Sequence, residues 1–237
     1  MISNYPIINI YEKNSLNSKI SSQLLFGEKF EIVRKQNEWL KIKTSYDKYV
    51  GYIKNRNFKK NLKITHKISS LKANLYSKPE RNCKTNIKLS FCSLISVTEK
   101  IKNFYRFDKY WIKKKDVKPI NFKQNIFKNI CMFTNTRYKW GGRSYKGIDC
   151  SALVQLFFKF NNLHCPRDTK DQIIYFKKAK KIKKDAIIFW RGHVAVCLSK
   201  KILIHAYGPK KKVLIMNIKK TLRLIEKTAK LQVIGIR

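Results

Sequence analysis

Hydrophobic positions along this chain change their spacing twice. From residue 7 to residue 53 they come in short bursts between polar turns: Ile7-Ile-Asn-Ile10, Gln23-Leu-Leu-Phe-Gly27, Phe30-Glu-Ile-Val33, Trp39-Leu-Lys-Ile42 and Tyr49-Val-Gly-Tyr-Ile53. Five short β signals so closely spaced predict a small barrel over residues 1–60. Residues 61–118 repeat the scheme more weakly. Ala73-Asn-Leu-Tyr-Ser-Lys-Pro79 parallels the opening strand and turn, and Leu89-Ser-Phe-Cys92, Leu94-Ile-Ser-Val97, Phe104-Tyr-Arg-Phe107 and Tyr110-Trp-Ile112 parallel the rest. These predict a second barrel, with the aromatic residues as its core. Asp116-Val-Lys-Pro119 marks the boundary, because proline ends the strand series.

Beyond residue 119 a helical period enters. Apolar residues at 122, 126, 127 and 130 predict a helix over Asn121–Cys131, and those at 153, 156, 157 and 160 predict an amphipathic helix behind Cys150. A turn at Pro166-Arg-Asp168 leads to a short helix through Gln172. Lys177-Lys-Ala-Lys-Lys-Ile-Lys-Lys184 reads as a solvated surface loop. Strands then return at Asp185–Trp190, His193–Leu198, Ile202–Ala206, Val213–Met216 and Gln232–Ile236. A helical half followed by an antiparallel half makes residues 119–237 an α+β unit.

Charge changes this picture less than its size suggests. The formal net charge is +40, which raises nucleic acid or an anionic surface as a partner. Yet 44 of the 54 basic residues are lysine, they run the whole length of the chain, and they accompany heavy Ile and Asn use. Those are the residues of A/T-rich codons, so coding bias accounts for much of the load. No nucleic-acid motif accompanies it, and no specific nucleic-acid partner is expected. The six cysteines (83, 92, 131, 150, 165, 197) show neither a C-x-x-C pair nor zinc spacing with histidine, so free thiols are expected and neither metal nor other cofactor. The N-terminal residues lack a signal pattern, and no apolar run reaches membrane-spanning length. The expectation is a soluble cytoplasmic monomer with no membrane partner.

Candidate chemistry centres on Tyr138-Lys-Trp-Gly-Gly142 and Gly147-Ile-Asp-Cys-Ser151. Asp149 is a good N-cap, which puts Cys150 in the first helical turn. Backbone N–H groups and the helix dipole there favour a thiolate and offer an oxyanion donor. Position alone also fits a buried structural cysteine. A base is available downstream. If the loop Ser199-Lys-Lys201 holds three residues, Ala195 faces His205, and His193 lies on the same face one diagonal step away. A two-residue turn would instead separate the two rings. His66 and His164 have no evident partner.

These residues resemble the NlpC-type cysteine peptidases, papain-like murein endopeptidases of bacteria. The resemblance rests on Tyr138-x-Trp-Gly-Gly142, Gly147-Ile-Asp-Cys-Ser-Ala-Leu-Val154, Pro166-Arg-Asp168 with Gln172, Asp185-Ala-Ile-Ile-Phe189, His193-Val-Ala-Val196 and Ile204-His-Ala206, in family order. It implies a papain-like α+β domain with Cys150 as nucleophile, His193 as general base and His205 as the third polar member. Tyr138 would share the oxyanion site with the Cys150 amide, and the resting pair would be thiolate–imidazolium. The chain departs from the family at Ala152, where glycine is usual, and at Lys184-Asp185, where Gly-Asp is usual; neither removes a reacting atom.

The strand series at the N-terminus resembles bacterial SH3-like domains. Two of them ahead of such a domain resemble the γ-D-glutamyl-L-diamino-acid endopeptidases of the dipeptidyl-peptidase VI type. That subgroup implies a murein peptide substrate whose free N-terminal amine is bound by Asp149 and Ser151, with Trp140 as a wall. It also implies an acidic group from the first barrel, Glu28 or Glu38. Such an enzyme in the cytoplasm would recycle wall peptides. The contrasting expectation is an inactive or amidase-type relative that binds wall or another anionic polymer through its SH3-like domains.

Overall fold

In the computed structural model, which describes all 237 residues, the first bursts form β1 (Ile7–Tyr11), β2 (Ile20–Leu25), β3 (Phe30–Gln36), β4 (Trp39–Thr44) and β5 (Val50–Lys54), an antiparallel sheet in the order β2-β1-β5-β4-β3. Alternation sets which face is buried: Leu40 and Ile42 point inward between Lys41 and Lys43, and Leu40 pairs with Ile53 across the β4–β5 ladder. Their core is completed by Ile8, Ile10, Leu24 and Phe30.

The weaker second series forms β6 (His66–Ile68), β7 (Lys72–Tyr76), β8 (Lys84–Ser90), β9 (Leu94–Ile95), β10 (Glu99–Ile101), β11 (Phe104–Phe107), β12 (Tyr110–Lys113) and β13 (Val117–Pro119). They make a sheet in the order β10-β11-β12-β7-β8 and a smaller one, β13-β6-β9. Phe26, at the end of β2, inserts into this second core and meets Phe107 edge-on at 5.7 Å. Both strand sets belong to one structural unit, Met1–Lys123 together with Arg143–Tyr145. Within it the Glu28 carboxylate is buried and gripped on both oxygens by the Arg143 guanidinium at 3.0 and 3.1 Å, and it accepts the Leu25 amide at 2.8 Å. Gln23 accepts the Arg143 amide at 2.8 Å. Two-residue β14 (Arg143–Ser144) completes this unit.

The other unit comprises Gln124–Gly142 and Lys146–Arg237. It contains β15 (Gly147–Ile148), α1 (Cys150–Phe160), α2 (Thr169–Tyr175), β16 (Ile187–Trp190), β17 (His193–Cys197), β18 (Ile202–Tyr207), β19 (Lys212–Asn217), α3 (Ile218–Ala229) and β20 (Val233–Ile236). Its sheet runs β19-β18-β17-β16-β20, antiparallel throughout. One face of it, with Ile188, Trp190, Ala195, Cys197 and Leu203, packs on Ile218 and Ile225 of α3. Leu153, Leu156, Phe157 and Phe160 of α1 are fully buried, and Phe157 meets Phe133 edge-on at 6.0 Å.

Two elements depart from expectation. The helix predicted over Asn121–Cys131 is a chain of turns ending in a short 3-10 turn, Ile130–Phe133. Its apolar spacing is real, since Phe127 and Ile130 are buried, but Asn129 sits in the left-handed region (φ 65°) and interrupts the ladder. Asparagine tolerates that conformation and competes with helix through its own side chain. Conversely, α3 was not expected. Asn217 caps it by accepting the Lys220 amide, and Ile218, Thr221 and Ile225 form its buried stripe. The lysine-rich loop before β16 exposes its lysines, while Ala179 and Ile182 are half-buried and Ile182 packs on the core. No helix is long and apolar enough to cross a membrane.

Candidate active site

The glycine loop ahead of α1 is shaped by lack of space. A Cβ on Gly142 would lie 2.5 Å from the Gly147 carbonyl oxygen, and Gly141 is in the left-handed region at φ 70°. This tight fold lets the Gly141 amide donate to Asp149 Oδ2 at 2.9 Å. Asp149 caps α1 by accepting the Ala152 amide at 2.8 Å, and Cys150 is the first helical residue.

Arg167, from the turn before α2, completes the base of the loop. Its guanidinium reaches Asp149 Oδ2 at 2.5 Å and Oδ1 at 3.1 Å, and donates to Ser151 Oγ at 2.8 Å. Ser151 in turn donates to Asp149 Oδ1 at 3.2 Å. All three residues are buried. The two residues expected to meet a substrate ammonium group are therefore already held by an internal guanidinium, a partner the sequence reading did not single out. Gln172, fully buried on α2, donates to the Ser151 and Pro166 carbonyls at 3.0 and 2.9 Å and so ties the first turn of α1 to the Arg167 turn.

The hairpin β17–β18 closes through a three-residue loop, with the Leu198 amide donating to Ile202 at 2.8 Å and Cys197 paired with Leu203. In that register His193 and His205 share a face, and His193 Nε2 lies 2.9 Å from His205 Nδ1. Aromatic rings enclose them. Tyr207 stacks on His205 at 5.0 Å between centroids, and Trp190 lies 5.5 Å from His193. The Cys150 sulfur is 3.9 Å from the Gly192 carbonyl and receives the Val194 amide. Gly192 and Val194 flank His193, so the thiol sits against the start of β17.

Burial sets the charge states. Desolvation, with the His205 ring adding to it, lowers His193 to about 3. Desolvation also lowers His205 to about 4. Burial and then the Asp149 carboxylate push the Cys150 thiol up to about 12, against the Val194 amide, Arg167 and the Ser151 amide, which act the other way. These shifts favour a neutral thiol and neutral imidazoles over the resting thiolate–imidazolium pair that was expected. The helix amide is present, but it is outweighed by loss of water and by Asp149.

With both rings neutral, the hydrogen bond between them has a directional consequence. For His193 to accept a proton on Nδ1, its Nε2 must carry the hydrogen and donate to His205 Nδ1. His205 then holds its own proton on Nε2, a buried atom with no partner. Tyr138 is half-buried, its ring against Gly208, and its hydroxyl pKa is raised by desolvation and then by the nearby Cys150 and Asp149. It is therefore a proton-bearing donor near the sulfur. Trp140 is 61% exposed at the tip of the glycine loop. Glu28 is committed to Arg143, whereas Glu38 is exposed and paired with Lys54 at 2.6 Å. No group of three or more His, Cys, Asp or Glu side chains is disposed to hold a metal ion.

Comparison with known proteins bears on this site. Residues 135–227 match the NlpC/P60 family, and residues 10–57 match the bacterial dipeptidyl-peptidase SH3 domain. The γ-D-glutamyl-L-lysine dipeptidyl-peptidase of Bacillus subtilis (strain 168) is 28% identical over 173 residues, 65% of this chain but only 57% of that protein. Dipeptidyl-peptidase 6 of Lysinibacillus sphaericus is 24% identical over 230 residues, 84% of each chain. In fold, the chain is similar over its whole length to an NlpC/P60 family protein from Bacillus cereus ATCC 10987, covering 98% of it with a TM-score of 0.84 at 18% identity.

Proposed function

This chain joins a bacterial SH3 domain to an NlpC/P60 cysteine-peptidase domain, and from that premise we propose that it hydrolyses the γ-D-glutamyl-L-diamino-acid bond of short murein peptides bearing a free N-terminal L-alanine. The observation that carries this reading is the His193–His205 pair, 2.9 Å apart, with the start of the His193 strand, at Gly192 and Val194, meeting the Cys150 thiol of the α1 helix start. The name of the Bacillus relative supports the bond, and the names of the Bacillus and Lysinibacillus relatives both support the release of a dipeptide. Residues 61–118 are read as a second SH3-like domain.

In this mechanism His193 Nδ1 takes the thiol proton as the Cys150 sulfur attacks the carbonyl carbon, because neither group is charged beforehand. The Cys150 amide and the Tyr138 hydroxyl donate to the oxyanion. The intermediate collapses to a thioester on Cys150, and the imidazolium of His193 delivers its proton to the leaving amine. Water, deprotonated by His193, then releases the acyl group. His205 stabilises the transient imidazolium by accepting its Nε2 hydrogen, the part an acid or amide takes in related triads. Asp149 and Ser151 receive the substrate ammonium beside the nucleophile while sharing their oxygens with Arg167, and Trp140 walls the site. A cytoplasmic enzyme of this kind acts on peptides released from wall.

The test is incubation of L-Ala-γ-D-Glu-meso-diaminopimelate with wild type and Cys150→Ala, read by mass spectrometry. Release of L-Ala-D-Glu by wild type alone, with the N-acetylated peptide spared, is expected. Intact peptide after exposure to folded, reduced wild type would overturn the reading.

A further inference from the structure

The second strand set carries a hollow that the peptidase reading does not use. It has a volume of about 430 Å³ and gathers residues from three separated stretches: the β7–β8 connection, the β10–β11 turn, and the end of β12 with the 3-10 turn that follows. Arg81, Lys102, Lys113, Lys114 and Lys115 all line it, five of its nine lining residues. Across the chain, 54 of 237 residues are basic, so the hollow holds more than twice its share. A second hollow, near the N-terminus, has three lysines among ten lining residues.

Local geometry produces the convergence. Successive side chains on a strand point to opposite faces, so a Lys-Lys-Lys run continuing β12 would split between them. Here Lys113 ends the strand, and Lys114 and Lys115 enter a 3-10 turn that brings all three to one concavity. The Lys114 amide donates to Asn103 at 2.9 Å, and its ammonium donates to the Lys102 carbonyl, which fastens this turn to the β10–β11 turn. One carboxylate, Glu80, lines the same hollow and accepts the Cys83 thiol at 3.8 Å. Coding bias explains many lysines, but not their gathering from three stretches around one cavity.

We propose that this hollow is a binding site for an oligophosphate group, two or three linked phosphates. Five cations less one carboxylate leave a charge of +4, which matches such a group. Lysine ammonium groups are compact point charges that donate to phosphate oxygens from any direction, and Arg81 adds a bidentate fork. The size suits a small ligand rather than a nucleic-acid strand. Phe104, the one aromatic residue in the lining, is buried and turned edge-on to Tyr76, so no ring is offered for a nucleobase to stack on. The site therefore reads phosphates and not the base.

Calorimetric titration of the full chain with tripolyphosphate in 150 mM salt tests this, with ATP, long-chain polyphosphate and a single-stranded oligonucleotide as further arms. Saturable 1:1 binding of tripolyphosphate is expected, with ATP within threefold of it. Arg81→Gln/Lys113→Gln/Lys114→Gln should weaken binding at least tenfold. The charge-matched Lys177→Gln/Lys178→Gln/Lys180→Gln variant should stay within threefold. Lys114→Gln alone should weaken it several-fold, which keeps the test sound if the triple variant melts early. Equal losses in both triple variants, or no saturable binding by wild type, would overturn the site. Oligonucleotide binding tighter than tripolyphosphate would replace it with an extended nucleic-acid surface. Long-chain polyphosphate binding at many molecules per chain would identify a polymer source, and strict 1:1 binding of the short forms a free one.

Discussion

The two buried histidines should make the protein sensitive to mild acid in a calculable way. Both are neutral when folded, at about 3 and about 4, against about 6.5 in an unfolded chain. Between those limits the unfolded state binds more protons, so stability rises with pH and is lost as pH falls from about 6.5 towards 4. Each ring contributes at most about 1.4 kcal/mol per pH unit, which integrates to about 2 kcal/mol between pH 7.5 and pH 5. The pair then costs the wild type about 4 kcal/mol over that interval, a sizeable part of an ordinary domain's stability. The assay is urea unfolding at the two pH values, followed by tryptophan fluorescence, with Trp190 lying 5.5 Å from His193. His205→Asn keeps a polar side chain but removes one titrating ring, so its acid-induced loss should be about 2 kcal/mol smaller. Burial also lowers His66 and raises Asp116 and Asp168, but these are common to both proteins and cancel in the difference. Equal losses in wild type and His205→Asn would refute the assignment of a neutral, desolvated pair.

The remaining predictions concern the base of the site. Arg167→Ala leaves the Asp149 carboxylate buried without its counterion and should cost about 3–5 kcal/mol by urea unfolding, with Arg167→Lys recovering part of that. At pH 7.5 the neutral Cys150 thiol should give no thiolate absorbance near 240 nm, and iodoacetamide should alkylate exposed Cys131 before Cys150, as peptide mapping would report.

Much of this was legible because it depends on local spacing. The strands of the first sheet follow alternation, and the register that joins His193 to His205 follows from the length of one loop. The Cys150 helix start follows from its N-cap. What could not be read is what depends on burial and distant partners. Nothing near Cys150 in sequence reveals that its sulfur is closed off from water, so the helix start alone suggested a charged thiolate. Asn129 matched an apolar period yet broke the helix through its own backbone preference. Usage alone could have singled out Arg167 and Arg143. In a chain with 44 lysines and only 10 arginines, an arginine marks a place where a planar fork is required, and both are buried against a carboxylate.

The Arg143–Glu28 grip also bears on how the chain can be made and cut. The two residues are 115 positions apart, and the unit that begins at Met1 takes in Arg143–Tyr145 from well beyond Lys123. A ribosome releasing the chain from its N-terminus exposes both strand sets before Arg143 is synthesised, so for that interval Glu28 has no guanidinium and its segment must stay hydrated. A fragment ending at residue 123, the obvious excision, would inherit the same defect permanently. Appending a short segment that carries the Arg143 side chain, or replacing Glu28 with glutamine, is what a stable isolated fragment would require.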